Sequence, residues 1–351
     1  MTTTVETEPV IQKTFDWSRL YWPLAGIVAI FAAILAGLMI GETQISAITA
    51  FKTIANKMWS AGYDIDLIDQ GILWEYRLPR AIVAASCGAA LAVSGVVLQA
   101  LLRNALADPY ILGLSAGAST GAVLVSIAGF GAGAISMSTG AFGGAIIAFI
   151  IVAGLAKLAS GRGGAAQFVL AGIAGSQLFN ALTSFIIAKS ASADQARGIM
   201  FWLLGNLSGV RWFDVVTAAP VALLGVFIVF LHARSLDAFT FGTDAAASVG
   251  VAIRRVQITL ISITALLTAI MVSIVGSIGF VGLVIPHAAR YLVGVRHKAL
   301  IPTAAIIGAV FLVLADIVAR VIIPGQVLPI GVVTALVGAP AFAIILIKGQ
   351  R

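Results

Sequence analysis

Charge is what this sequence has least of. Asp, Glu, Lys and Arg together make up 10% of its 351 residues, against roughly a quarter in an ordinary soluble domain, and that excludes a water-soluble globular fold. There is one cysteine, Cys87, inside an apolar run, so neither a disulfide framework nor a cysteine-built metal site can form within one chain. The histidines, His232, His287 and His297, are scattered. They form no HExxH pair, and no serine or cysteine nucleophile frame accompanies them, which leaves an intramembrane enzyme without support. No GxxxxGK[ST] stretch occurs, so the chain cannot cradle ATP by itself in the usual phosphate loop.

What remains is apolar: 60% of the residues are hydrophobic and mean hydropathy is +1.09. Runs of about 20 apolar residues match roughly 30 Å of hydrocarbon as helices, whereas barrel strands would alternate over about 10 residues. That alternation is absent, so the expected fold is an all-α integral membrane protein. Ten runs are found, at 21–40, 81–102, 111–130, 141–158, 165–188, 212–231, 256–275, 280–293, 300–322 and 328–347. The run 280–293 is short and is interrupted by Pro286. A broken helix is acceptable there only where protein or a cavity satisfies the freed backbone groups.

Ten spans put both termini on one side, and most of the 21 basic residues lie on the side of the N-terminus, which the positive-inside rule makes cytoplasmic. The net charge of +7 is thus assigned to orientation in a lipid bilayer rather than to nucleic acid. The acidic start, MTTTVETEPV, does not look like a cleaved signal peptide. Residues 1–20 are expected as a cytoplasmic segment and 21–351 as one transmembrane domain. Outside lie a long polar connection, 42–80, with Trp59, Tyr63 and Trp74 suited to the interface, and the segment 194–210. The latter is too short to span, and its apolar centre predicts a short helix at the mouth of a pathway, with Met200 and Leu203 as lining candidates.

The clearest polar insert is RSLDAFTFGTDAAASVGVAIRRVQ, 234–257. It reads as two short helices over 235–250. Ser235 is expected to cap the first, which carries Leu236 and Asp237 and ends at Gly242; Thr243 is expected to cap the second, which carries Asp244 and ends at Gly250. An amphipathic segment lying on lipid is the commoner fate of such inserts. Here the acids and alanines give a poor lipid face, and the insert reads instead as a docking site for a soluble partner.

Charges within or near the spans come next, since an ionisable group in hydrocarbon is costly. Asp316 and Arg320, four apart on one helix face, can pair with each other. His287, after Pro286, can bond a freed carbonyl or take part in gating. Asp108 and Pro109 mark an inner turn whose acid reads as a helix cap. If Asp316 and His287 instead carried protons or ions, the chain would be an ion-coupled secondary transporter.

Several longer motifs resemble one family. RLPR at 77–80, GAALAVSGVVLQALLRNALADPYILGLSAGA at 88–118, GSIGFVGLVIPHAAR at 276–290, LADIVAR at 314–320 and LPIGVVTALVGAP at 328–340 look like the FecCD-type permeases of binding-protein-dependent ABC importers. The resemblance covers roughly 21–351 in the family's order. It implies ten spans, a cobalamin-importer-like fold and a homo- or heterodimer with a second permease subunit around a central pathway. It further implies two cytoplasmic ATPase subunits that hold ATP and Mg, and a periplasmic or lipid-anchored substrate-binding protein. The insert 235–250 matches the family's ATPase-docking helices, and Arg77, Arg80 and Arg320 match arginines that meet the binding protein. The expected function is import of an iron complex, a ferric siderophore first and haem or cobalamin as alternatives, across the bacterial inner membrane. No cofactor is expected on this chain.

Overall fold

The computed structural model describes residues 18–127, 135–159, 164–190 and 192–348. The expected N-terminal segment 1–20 lies outside the described residues up to residue 17, as do 128–130 of the third expected span and the C-terminal Arg351. The chain opens with α1 (Ser18–Met39), α2 (Ala47–Trp59) and α3 (Leu67–Gly71). A π-helical turn, Ile72–Arg77, then leads into α4 (Leu78–Leu101). After a 3-10 turn at Pro109–Leu112 come α5 (Leu114–Ser126), α6 (Met137–Ala159), α7 (Gly164–Ser190) and α8 (Ala193–Leu203). The second half holds α9 (Trp212–Leu231), α10 (Ala233–Phe239), α11 (Thr243–Ser248), α12 (Ile253–Val275), α13 (Val281–Val293), α14 (His297–Val321) and α15 (Ile330–Lys348).

Each expected span has its helix. Among the described residues, six helices are long and apolar enough to cross a membrane, and the shorter apolar helices Leu24–Met39, Leu114–Ser126, Val281–Val293 and Ile330–Ile345 account for the rest. Helices are forced here because hydrocarbon offers no partner to a backbone group, so each must be paired within its own segment.

The middle of the bundle is α4. Its most apolar window is 83% buried, against 28% for α6, α7 and α9, and it packs on α9, α12, α13 and α14. Close approach rests on glycine. A Cβ on Gly88 would lie 2.0 Å from the carbonyl oxygen of Gly308 on α14, and one on Gly121 of α5 would lie 2.0 Å from that of Gly140 on α6, so any side chain there would drive the helices apart.

The polar connection 42–80 is largely helical. Ser46 caps α2 by accepting from the Thr49 N–H at 3.1 Å, and the π turn extends α4 upstream to make one helical stretch, Leu67–Leu101. Trp74 of that turn packs on Trp212, ring centroids 4.9 Å apart. The expected short helix within 194–210 is α8, closed by a capping box between Ser192 and Gln195.

Two local expectations are corrected. Ser235 and Thr243 do not cap the insert helices: α10 starts at Ala233 behind the corner residue His232, and α11 starts at Thr243 behind Gly242, neither with a side-chain cap. The turn at His232 follows α9 so closely that Ser235 is already inside a helix. Gly242, with φ 109°, and Gly250, with φ 85°, do end the two helices. The second correction concerns Pro286, where α13 continues without a break. Proline removes the N–H that would bond the carbonyl four residues back, here Gly282, and the Gln99 amide on α4 donates to that carbonyl instead at 3.3 Å.

Candidate functional site

Three polar assemblies stand out in the apolar bundle, one at each end and one at the inner turn. The insert end carries α10 and α11. Leu236, Phe239 and Ala246 are buried there and fasten the insert to the bundle. Asp237 closes it: its Oδ1 accepts from the backbone N–H of His297 at 2.9 Å and from His297 Nδ1 at 2.7 Å. A carboxylate only accepts, so Nδ1 carries the proton. Because His297 is the first residue of α14, Asp237 supplies a cap that α14 lacks in its own sequence. The outward side is different in character. Phe241 is 80% exposed and Val249 71%, with Asp244 exposed between them.

The far end of α14 holds the arginines. Arg77, Arg80 and Arg320 are buried, 6%, 9% and 5% exposed, around the fully buried Asp316. Arg80 Nε donates to Asp316 Oδ1 at 2.8 Å, with Nη2 2.7 Å from the same oxygen. Arg320 Nε lies 3.1 Å from Asp316 Oδ2, so the pairing expected from the four-residue spacing is present and a second arginine joins it. Arg320 also donates to the Gly37 carbonyl from both terminal nitrogens, each at 3.1 Å. Arg77 donates to the carbonyls of Leu38, at 2.9 Å, and Thr43. Charge topology put these side chains at the outer end; the structure turns them inward, onto groups of this chain. Held between two guanidiniums, Asp316 is poorly placed to take up a transported ion.

The inner turn, between α4 and the 3-10 turn, is held by α13. His287 Nε2 bonds the Ala105 carbonyl at 2.9 Å, which sets Nε2 as its donor nitrogen. Arg290 donates to Gln99 Oε1, and Gln99 Nε2 also reaches the Ala107 carbonyl at 3.3 Å. His287 therefore bonds the turn and not a carbonyl freed by Pro286. Sequence reasoning missed Gln99, Arg290 and His297. For Gln99 there was a signal, a lone carboxamide in the apolar run 81–102 facing a helix that contains proline.

Beside this turn, a cavity of about 320 Å3 opens against α7, lined among others by Asp108, Ser176, Gln177 and Asn180. Asp108 accepts from the Tyr110 N–H at 2.9 Å, the cap expected of it. Desolvation by burial, the larger effect, outweighs that hydrogen bond and pushes its carboxyl up to about 6. Of the pathway candidates on α8, Met200 is 59% exposed and Leu203 half-buried. No group of three or more metal-ligating side chains occurs among the described residues.

The helical membrane bundle thus carries an interior acid–arginine cluster at one end and a clasped polar insert at the other. The model of the FecCD transport family matches residues 28–348, and the chain belongs to that family. It is 41% identical over 281 residues to the cobalamin import system permease protein BtuC of Halobacterium salinarum, covering 79% of this chain and 73% of that one. To the iron(3+)-hydroxamate import system permease protein FhuB of Bacillus subtilis it is 34% identical over 334 residues, 94% of this chain and 85% of the relative. Among solved structures it resembles a metal-chelate type ABC transporter in an inward-facing conformation, with a TM-score of 0.80 and 30% identity over 94% of this chain and 99% of the other. The two relatives carry different cargo, so family membership makes this chain an importer permease without specifying what it imports.

Proposed function

We propose that this chain is the membrane subunit of an ATP-driven importer for an iron complex, a ferric siderophore, in the inner membrane of a bacterium, with both termini in the cytoplasm. The observation that carries the reading is the insert. Helices α10 and α11 are tied to the bundle by Asp237 and His297 while Phe241 and Val249 stand exposed, a rigid mount with an apolar outer face that suits a folded protein partner. That partner is one of two ATPase subunits, which hold the ATP and Mg. A second permease subunit completes the pathway, and α8 with Met200 and Leu203 forms its outer mouth.

A substrate-binding protein docks at the opposite end. In this proposal Arg77, Arg80 and Arg320 contribute positive potential at that end, where Asp316 is the acid paired with them and Glu42 and Asp69 stand nearby, and the arginines meet acidic groups of the partner. Movement between inward- and outward-open states is biased by nucleotide at the insert and by the loaded binding protein outside. Cross-linking tests the mount: with Cys87→Ser as background, Phe241→Cys or Val249→Cys is expected to cross-link to the co-expressed ATPase subunit. Cross-links absent at both positions in an assembled complex would contradict it.

A further inference from the structure

At the insert end of the bundle, α12 carries two arginines over a groove. Arg254 and Arg255 are exposed, and neither has an ion-pair or hydrogen-bond partner among the described residues. A cavity of about 560 Å3 opens beside them, lined by Ala252, Ile253, Ile258 and Thr259 together with the two arginines. That lining contains no acid, and neither does the first turn of α12. At about 100° per residue the arginines stand on either side of Ile258, and Ser262 and Leu266 continue the same stripe along the helix. Ile258 is 56% exposed and Leu266 44%; Ser262 is exposed between them. The stripe is charged at its head and mostly apolar along its tail. Its surroundings are apolar too: α12 packs on α6 and α9, which toward the same end expose Leu155 and Leu158, and Phe227 and Leu231. Side chains of that kind belong against acyl chains, so the arginines sit where hydrocarbon gives way to headgroups.

We propose that Arg254, Arg255 and the groove over Ile258 form a binding site for an anionic phospholipid of the leaflet on the insert side, with its phosphate held between the two guanidiniums and an acyl chain laid along Ile258 and Leu266. A guanidinium presents paired N–H donors that match phosphate oxygens, and a phosphate answers two cations that the chain leaves unpaired. Basic residues that only mark the inner side of a membrane protein need no groove beside them. A zwitterionic lipid fits less well, because its ammonium group would enter a lining that has two cations and no acid. The site also adjoins the insert. Gly250 ends α11 with φ 85°, and the Val251 N–H is tied back to the Ala246 carbonyl of α11 at 3.0 Å, so a lipid held at Ala252–Arg255 braces the base of the insert against the bilayer.

Native mass spectrometry of the full chain in detergent, titrated with phosphatidylglycerol or with phosphatidylcholine of the same chain length, tests the site. Wild type is expected to hold phosphatidylglycerol in clear preference to phosphatidylcholine. Arg254→Gln and Arg255→Gln should each weaken phosphatidylglycerol binding roughly fivefold, the effect of one basic side chain near an anionic lipid surface. Lys298→Gln is the control: Lys298 is exposed in the first turn of α14, at the insert end, and is absent from the groove lining, so its loss should leave binding unchanged. Equal binding of the two lipids, or an equal loss in Lys298→Gln, would overturn the site and leave the arginines as charges of orientation. Inorganic phosphate, which lacks the chain, should not displace the lipid; displacement would overturn the lipid assignment. Reduced co-purification of the ATPase subunit in the two arginine variants, with phosphatidylglycerol binding unchanged, would overturn it as well and give the pair to the soluble partner.

Discussion

Asp237 and His297 are 60 residues apart in the chain and share two hydrogen bonds through one carboxylate oxygen, at 2.9 Å to the backbone and 2.7 Å to the imidazole. The contact joins the insert to the first turn of α14, whose last turn carries Arg320. One rigid helix thus runs from the proposed ATPase mount to the arginine cluster. Losing a cap costs about 1 kcal/mol. Asp237→Lys should therefore lower Tm modestly and reduce both ATPase co-purification and transport, whereas Asp244→Lys, exposed on α11, should reduce association with Tm unchanged. Full association in both variants would sink the docking role.

Asp316 is the only acid within ion-pair distance of Arg80 and Arg320 among the described residues. Removing one member of a buried cluster strands the others and typically costs about 3–5 kcal/mol. Asp316→Asn and Arg320→Glu should accordingly lower expression and Tm sharply. Arg320 reaches Asp316 and Gly37, so the stability loss belongs to the interior. Binding-protein affinity, measured on the surviving Arg320→Glu protein, decides whether the arginines also act outward: weakened affinity supports the proposed potential, and normal affinity removes it.

Gln99 and Pro286 form a compensating pair across α4 and α13. Gln99→Leu leaves the Gly282 carbonyl without its donor, a loss of about 1–3 kcal/mol. Pro286→Ala restores a backbone N–H to that carbonyl, so the double variant should regain part of the stability lost by Gln99→Leu. Additive losses in a thermal melt would show that Gln99 does not act through this carbonyl.

Asp108 gives a pH signature. Its folded value of about 6 stands above the usual 3.8, so the folded state holds this proton more tightly than the unfolded chain. Its contribution to stability is complete below about pH 4 and is lost as pH rises through about 6. Asp108→Asn keeps an oxygen for the Tyr110 N–H and cannot ionise. The variant's Tm minus that of wild type should therefore grow between pH 4 and pH 7; a constant difference would refute the shift.

The spans were legible in the sequence because hydrocarbon thickness imposes both length and composition, and each apolar run became a helix. The insert was legible for the opposite reason, as a polar stretch with two glycines whose positive φ ends a helix. Its caps were not: whether a serine sits before a helix or within it depends on the corner at His232, a tertiary matter. Charge topology assigns an arginine to an end of the bundle and says nothing about the direction of its side chain, so the inward turn of Arg77, Arg80 and Arg320 stayed hidden. The pairing of Asp316 with Arg320 could be read because both lie on one helix; Arg80, distant in sequence, could not be added.

The most direct test of the account is uptake into proteoliposomes that contain this chain with its ATPase subunits and binding protein. ATP should drive accumulation of a ferric chelate, and a proton gradient without ATP should drive none. Accumulation driven by the gradient alone, with no ATPase subunit present, would contradict the account.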